Sequence, residues 1–192
     1  MEHGFQRVRG LVAAMFLVAV TASSAQTPAR AAFVLASQDV AAGSTIGEKF
    51  VFKGMGCQGE NVTPSLNWSG APPGTASFVL SVFDPDARGG AGWWHWIVYN
   101  LPAEASALPQ DAGNPQRSLL PKPAWQAKND FGQTGYGGPC PPPGERPHHY
   151  VFTIYALRIA AVKPPDDRVG YIPTDAVLAK ASFTAVYGRP SR

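Results

Sequence analysis

Residues 132–147 restrict the fold of this chain more than any other segment, because glycine and proline make up most of them. Proline lacks a backbone N–H and fixes φ, so no helix can begin in this segment. Glycine lets the backbone approach a ligand closely. No lysine follows the glycines, so the segment resembles neither a P-loop nor a dinucleotide fingerprint. We therefore expect a loop that is stiff in some places and close to a ligand in others.

Short runs of β-branched and aromatic residues predict a mainly β fold with few short helices. The strongest predicted strand covers residues 150–157. Further predicted strands cover residues 33–35, 50–52, 77–83, 94–100 and 182–187. Thr174 is typical of a helix cap, which predicts a short helix over residues 175–181.

The N-terminus has the pattern of an export signal. A basic start precedes an apolar run over residues 11–20, and small residues follow as far as Ala25. We expect residues 1–25 to be a signal peptide and the mature protein to be periplasmic or secreted. The apolar run is too short for a transmembrane helix, which needs about 20 residues. Residues 26–32 are predicted to form a flexible arm, and residues 33–190 one domain.

The charge of the chain excludes one class of partner. Its formal net charge is +3, and its basic residues are dispersed along the sequence. Such a weak and dispersed charge is not typical of a nucleic-acid-binding protein. We therefore expect no nucleic-acid partner.

Cys57 and Cys140 are the two cysteines of the chain. In an exported protein, an even number of cysteines favours a disulfide. Two buried free thiols are the alternative. Metal binding by these residues is not indicated, because the sequence has no Cys-x-x-Cys spacing.

Acidic, aromatic and histidine side chains are concentrated in residues 83–100. Asp84 and Asp86 precede a glycine-rich turn, and His95 follows it between Trp94 and Trp96. Burying charged groups without partners costs free energy. These groups therefore belong inside a pocket or at its mouth.

Side-chain alternation predicts which of these residues share a face. One face of the strand would carry His95, Ile97 and Tyr99, and the other Trp94, Trp96 and Val98. The same rule places His148 and Tyr150 on one side of the strongest strand. The histidines of the predicted mature chain are His95, His148 and His149. All three lie where a predicted strand meets a glycine-rich or proline-rich loop.

Four motifs, in this order, resemble the signatures of the phosphatidylethanolamine-binding protein (PEBP) family. They are Asp84-Pro85-Asp86-Ala87, Trp94-His95-Trp96, Gly137-Gly138-Pro139-Cys140-Pro141-Pro142 and His148-His149-Tyr150. The resemblance extends over roughly residues 33–190. Within that family, the sequence most resembles the bacterial Raf-kinase-inhibitor-like branch.

This resemblance implies a large antiparallel sheet packed on a smaller one, and a surface pocket for phosphate, phosphorylated head groups or similar anions. It implies no cofactor and no metal. The implied ligand-binding residues are Asp84, Pro85, Asp86, Trp94, His95, Gly137, Gly138, Pro139, His148 and Tyr150. Histidine, tyrosine and glycine N–H groups supply the donors that an anion needs.

Individual roles follow from chemistry. Asp84 cannot face a bare anion favourably, so we expect it to orient and charge a histidine. With a phosphoethanolamine ligand, this carboxylate could instead meet the ammonium group. Asp-Pro-Asp is also a good turn sequence, which accounts for Asp86 better than for Asp84. Trp94 is expected at the edge of the pocket and Trp96 in the core.

The sequence departs from the family pattern at two positions. Ala176 stands where the bacterial relatives usually carry a histidine in a C-terminal helix, and His149 stands where they usually carry arginine. The extra C-terminal helix of the mammalian members has no counterpart after Arg192. We therefore expect an open pocket.

Other functions stay open at this point. Asp84 and His95 could form the acid–base pair of a small-substrate enzyme, although no Gly-x-Ser-x-Gly motif supplies a nucleophile. Two histidines and a carboxylate could hold a metal. Inhibition of a kinase or protease through surface loops rests on analogy of fold. Contact with lipid head groups and a homodimer also stay open.

Overall fold

The computed structural model describes residues 1, 2, 4, 31–165 and 169–191. The predicted signal peptide, apart from residues 1, 2 and 4, and the predicted arm as far as residue 30 lie outside this part of the chain. Among the described residues, no helix has the length and apolar character needed to cross a membrane.

Ten strands and three short helical turns make up the described fold. In chain order, the strands are β1 (Val34–Ala36), β2 (Lys53–Gly54), β3 (Cys57–Gln58), β4 (Leu66–Ser69), β5 (Ser77–Asp84), β6 (Trp93–Pro102), β7 (Ala107–Leu108), β8 (Trp125–Gln126), β9 (His148–Leu157) and β10 (Val177–Tyr187). The helical turns are Glu48–Phe50, Ala87–Gly90 and Thr174–Ala176.

A five-stranded antiparallel sheet forms the centre of the molecule. Its strand order is β10-β9-β5-β6-β8, and a smaller sheet has the order β1-β4-β7. The remaining two strands, β2 and β3, pair with each other. The fold is therefore mainly β, with a large antiparallel sheet and few helices, which confirms the predicted fold class.

The main hydrophobic core lies on the face of the large sheet that meets the small sheet. Leu80 of β5 and Phe152 of β9 are fully buried there together with Trp68 of β4. Alternation on β5 and β9 brings every second residue to this face. Asp84 and His148 occupy the last such positions at one end of the sheet, so the core ends there in polar side chains.

The predicted helix over residues 175–181 is wrong. A 3-10 turn covers only Thr174–Ala176, and β10 begins at Val177. β10 pairs with β9 along its whole length, from Val177 opposite Leu157 to Tyr187 opposite His148. Helix propensity is a weak preference, and the hydrogen bonds and burial gained on a long neighbouring strand outweigh it here.

A β-bulge at the start of β6 overturns the predicted alternation around His95. Val82 pairs with Trp96, but the next residue, Phe83, pairs with Trp94, so His95 is the extra residue. A bulge leaves two residues opposite one and re-aims a side chain. As a result, His95 contacts Tyr150 on the main-core face. Trp94 turns to the opposite face, where it packs with Ile97 and Tyr99.

Candidate functional site

The site forms where β5 ends and where β6 and β9 begin. Because these strands are antiparallel neighbours, their ends meet at one edge of the large sheet. This brings together Asp84 from β5, His95 from β6, and His148 and Tyr150 from β9. All four side chains are buried. These four residues, which are among the ligand-binding residues implied by the resemblance, are therefore neighbours in space.

A cavity of about 350 Å³ opens over these strand ends. Its lining combines polar side chains with aromatic and apolar ones. The lining residues are Met55, Asp84, Asp86, Ala87, Arg88, Gly89, Trp93, His95, Phe131, Cys140, Pro141, Pro142, Glu145, His148 and Tyr150. The volume is within the range of small-molecule sites, which begins at about 300 Å³.

Asp84 orients His148. One carboxylate oxygen, Oδ2, accepts a hydrogen bond of 2.8 Å from Nδ1 of His148. The other, Oδ1, accepts the backbone N–H groups of Asp86 and Ala87, at 2.9 and 3.1 Å. Asp84 is thus both a turn-former and the partner of a histidine. With both oxygens hydrogen-bonded, part of its negative charge is offset by these donors.

His148 lies between two carboxylates. Its second ring nitrogen, Nε2, donates to Oε2 of Glu145 at 3.0 Å. Burial alone would lower the pKa of His148, but the hydrogen bonds and charges of Asp84 and Glu145 outweigh burial and raise it above its ordinary value. His148 is therefore the group in the pocket that favours the imidazolium form.

His95 has the opposite preference. Its Nδ1 lies 2.6 Å from the carbonyl oxygen of Gly137, which can only accept, so Nδ1 carries the proton. Burial lowers the pKa of His95, although the Gly137 carbonyl and the charge of Asp84 oppose this. A neutral His95 leaves Nε2 as a hydrogen-bond acceptor. The hydrogen bonds of Asp84 go to His148, Asp86 and Ala87, so Asp84 and His95 do not form a bonded acid–base pair.

Two buried donors of the cavity lining have no hydrogen-bond partner within the described part of the chain. They are the hydroxyl of Tyr150 and the indole N–H of Trp93. Burial and the nearby charge of Asp84 raise the pKa of Tyr150 well above its ordinary value, so the hydroxyl keeps its proton. Buried polar groups normally have partners, and each exception requires an explanation.

Asp86 holds the rim of the cavity. Its Oδ1 accepts a hydrogen bond from Arg146 at 2.9 Å, and its Oδ2 accepts both the backbone N–H and Nδ1 of His149, at 2.8 and 2.7 Å. The bonds from His149 lower the pKa of Asp86. Pro85 is exposed and outside the lining. Asp86 therefore ties the turn after β5 to the start of β9.

Gly137, Gly138 and Pro139 do not line the cavity, contrary to the expectation from the resemblance. Their backbone groups are engaged inside the protein. The Gly137 carbonyl accepts from His95, the Gly138 N–H donates to Asn61, and the Pro139 carbonyl accepts from the N–H of Phe52. The next residues along the loop, Cys140, Pro141 and Pro142, line the cavity instead and form its Pro-rich wall.

Cys57 and Cys140 form a disulfide, with their Cα atoms 5.9 Å apart. Of the two alternatives that the sequence left open, a disulfide or two free thiols, the structure has the disulfide. Arg189 reinforces the same junction, because its guanidinium donates to the carbonyl oxygens of Gly56 and Pro141, at 2.7 and 3.2 Å. The Pro-rich wall of the cavity is thus fixed to the loop that contains β2 and β3.

Trp93, rather than Trp94, is the tryptophan of the pocket. The bulge turns Trp94 to the other face, where its indole packs closely against Gly170. The guanidinium of Arg88 lies 4.2 Å from the centre of the Trp93 ring. The sequence prediction also missed Arg88 and Glu145. Arg88 directly follows the Asp84–Ala87 motif, and Glu145 lies three residues before His148. This closeness in sequence is the signal that could have indicated them.

The described residues contain no group of three or more His, Cys, Asp and Glu side chains that could hold a metal ion. In the pocket, both ring nitrogens of His148 and one of His95 are already committed to protein acceptors. The arrangement is suited to hydrogen bonding.

A mainly antiparallel β fold with a small polar pocket at the strand ends defines the class of protein. The sequence model described as phosphatidylethanolamine-binding protein matches residues 36–188. The chain therefore belongs to this family.

Individual relatives agree with this assignment. YbcL of Escherichia coli, a UPF0098 protein, is 46% identical over 162 residues, which is 82% of this chain and 88% of that protein. Its crystal structure, described as a new member of the mammalian PEBP family, has a TM-score of 0.78 and covers 82% of this chain and 99% of that one. YbhB of the same organism is 43% identical over 80% of this chain and 98% of its own. LppC of Mycobacterium tuberculosis, named as a lipoprotein, is 40% identical over 76% of this chain and 66% of that protein.

Proposed function

We propose that this protein binds inorganic phosphate or a phosphorylated head group in the pocket at the strand ends. The observation that carries the proposal is the pair of unpartnered buried donors, the Tyr150 hydroxyl and the Trp93 indole N–H, which belong to the same cavity lining as His148. The partners of His148 raise its pKa and so favour its imidazolium form. A phosphate oxygen accepts hydrogen bonds from such groups and is attracted by the imidazolium charge.

The other polar groups of the pocket are compatible with this ligand. Neutral His95 leaves Nε2 as an acceptor, which suits the P–OH of a monoprotonated phosphate. Arg88 belongs to the cavity lining and adds a second positive charge. The carboxylate of Asp84 faces His148 and backbone N–H groups, so its charge is partly compensated.

We also place the protein outside the cytoplasm. Disulfides persist in oxidising compartments, and Cys57 is bonded to Cys140. The name of its relative LppC, a lipoprotein, points the same way. Two kinds of ligand outside the cytoplasm, a phosphorylated lipid head group and free phosphate, both present the phosphate oxygens that the pocket would bind.

Isothermal titration calorimetry tests the binding proposal, with inorganic phosphate and phosphoethanolamine as probes at about pH 6 and about pH 9. Because the partners of His148 raise its pKa, His148 is charged at the lower pH and loses its charge as the pH rises through this raised pKa. Affinity should therefore be higher at about pH 6. Phosphoethanolamine binding without phosphate binding would indicate that its ammonium group is required.

Substitution separates the pocket from general charge effects. His148→Ala should weaken phosphate binding by about tenfold or more, since a charge-assisted hydrogen bond is lost. His148→Gln keeps a donor near Asp84 if the alanine variant fails to fold. Arg158→Ala removes one exposed positive charge at the far end of β9 and should bind as the unmodified protein does. Absence of heat at millimolar ligand, or full binding by a folded His148 variant, would contradict the proposal.

A further inference from the structure

Glu145 occupies the position on His148 that a bound anion would need. The buried carboxylate of Asp84 takes Nδ1 of His148, so Nε2 is the ring nitrogen left for a ligand. That nitrogen already donates to Glu145 at 3.0 Å. Both Glu145 and His148 belong to the cavity lining. A protein carboxylate thus stands where a phosphate oxygen would bind the imidazolium.

The two carboxylates that hold His148 differ in how firmly they are fixed. The side chain of Asp84 is only 3% exposed and also accepts two backbone N–H groups. The side chain of Glu145 is 53% exposed, and in the described part of the chain its carboxylate has no hydrogen bond besides the one to His148. Water screens exposed ion pairs, which therefore contribute little. Glu145 can be displaced at small cost, whereas Asp84 cannot.

We propose that Glu145 is an intramolecular competitor that a ligand must displace from His148, and that it thereby sets the affinity of the pocket for anions. Glu145 satisfies His148 but leaves the Tyr150 hydroxyl and the Trp93 N–H without partners. An anion that reaches all three donors makes hydrogen bonds that Glu145 does not make. Its negative charge also repels the Glu145 carboxylate towards solvent. This inference rests on the proposed function.

Calorimetry with inorganic phosphate at about pH 6 compares Glu145→Gln with Glu104→Gln. Glutamine is close to glutamate in size but lacks its charge, so it competes poorly for the imidazolium. Glu145→Gln should bind phosphate several-fold to about tenfold more tightly than the unmodified protein, as expected for loss of an exposed charged competitor. Glu104 is exposed and outside the cavity lining, so Glu104→Gln removes the same charge without this effect.

The possible outcomes separate this inference from the proposed function. Tighter binding by Glu145→Gln, or binding by that variant alone, supports competition. Equal or weaker binding by Glu145→Gln overturns the inference while leaving phosphate binding intact. Absence of heat with all three proteins overturns phosphate binding and the inference with it. The side-chain 15N resonance of His148 Nε2 adds a ligand-free readout, since an identical signal in unmodified protein and Glu145→Gln would show that the contact does not form in solution.

Discussion

The two histidines of the pocket prefer opposite protonation states because their acceptors differ. His148 donates to two carboxylates, which stabilise its charged form, whereas His95 donates to the Gly137 carbonyl, which carries no net charge. Burial disfavours the imidazolium at both positions, and only His148 has enough negative charge nearby to overcome it. The sequence predicted that Asp84 orients a histidine, but it could not tell which one, since that depends on the pairing of strands.

Tyr150 illustrates a conflict between stability and binding in a single side chain. Tyr150 is 1% exposed, and its hydroxyl has no hydrogen-bond partner in the described part of the chain. An unsatisfied buried polar group costs about 1–3 kcal/mol. Within the described part of the chain, the fold therefore leaves this donor unused.

Tyr150→Phe removes this hydroxyl and keeps the ring that packs against His95 at 5.1 Å. We expect the free energy of unfolding to stay the same or rise by about 1 kcal/mol, while phosphate affinity falls by about tenfold. Urea unfolding and calorimetry on the same preparation measure both quantities. Tyr136→Phe serves as a control, because that hydroxyl donates to the Phe50 carbonyl and its loss should reduce stability. Reduced stability of Tyr150→Phe would mean that its hydroxyl has a partner after all.

At the scale of elements, the predicted strand over residues 50–52 is wrong, because Phe50 ends the helical turn Glu48–Phe50 and the next two residues lie in no strand. The strands β5, β6 and β9 are predicted correctly, and side-chain alternation predicts their faces where it is regular. On β9, His148 and Tyr150 continue the buried row of Phe152 and Ile154, as expected. On β6, the same rule failed, because one extra residue at His95 reverses the faces of Trp93 and Trp94. The bulge depends on pairing with β5 across the sheet, so a single strand does not reveal it.

The helix predicted over residues 175–181 failed for a related reason. Val177 to Ala181 contains residues that tolerate a helix, and the cap signal at Thr174 begins a genuine 3-10 turn. After this turn, the segment pairs with the long strand β9 at the edge of the sheet and therefore adopts a strand conformation. Local preference thus identified where the element begins but not its type.

Gly138, in the loop before β9, has a packing role rather than a lining role. A Cβ on Gly138 would overlap the carbonyl oxygen of Phe50 and lie 2.6 Å from the backbone nitrogen of Phe52. These are backbone atoms, which cannot move aside cheaply. The close approach lets the wall of the cavity pack on the segment before β2.

Gly138→Ala should therefore lower the free energy of unfolding by about 2–3 kcal/mol, the cost of overpacking a well-packed site. Gly47→Ala is the matched control, since a Cβ on Gly47 meets no atom within 4 Å and its φ of −72° suits alanine. That control should change stability by less than about 0.5 kcal/mol. Chemical denaturation measures both. Equal stability of the two variants would argue against the close packing of Gly138.

At the scale of the whole molecule, the site joins residues that are far apart in sequence. Asp84 and His148 meet only because β5 and β9 are neighbours in the large sheet. Strand order cannot be read from the local pattern of one chain, so only the family resemblance indicated that these residues come together. The resemblance did not indicate Glu145, because its contact with His148 depends on how this particular Pro-rich loop folds back over the pocket.

The disulfide connects this loop with the rest of the molecule and should affect both stability and binding. Cys57 and Cys140 are separated by 83 positions. Closing a loop of this length reduces the entropy of the unfolded chain by an amount worth at most about 4.5 kcal/mol. The double variant Cys57→Ser with Cys140→Ser should unfold at lower urea concentration by a corresponding margin. Arg189 still bridges Gly56 and Pro141, so the folded loop should stay in contact.

Phosphate binding by this double variant then tests whether the disulfide shapes the cavity. Because Cys140 and Met55 both line the cavity beside the bond, we expect a looser wall and an affinity lower by a few-fold. Calorimetry under conditions where the variant is fully folded measures this separately from stability. Lower stability with unchanged affinity would assign the disulfide to the fold alone and leave Arg189 as the group that holds the wall in place.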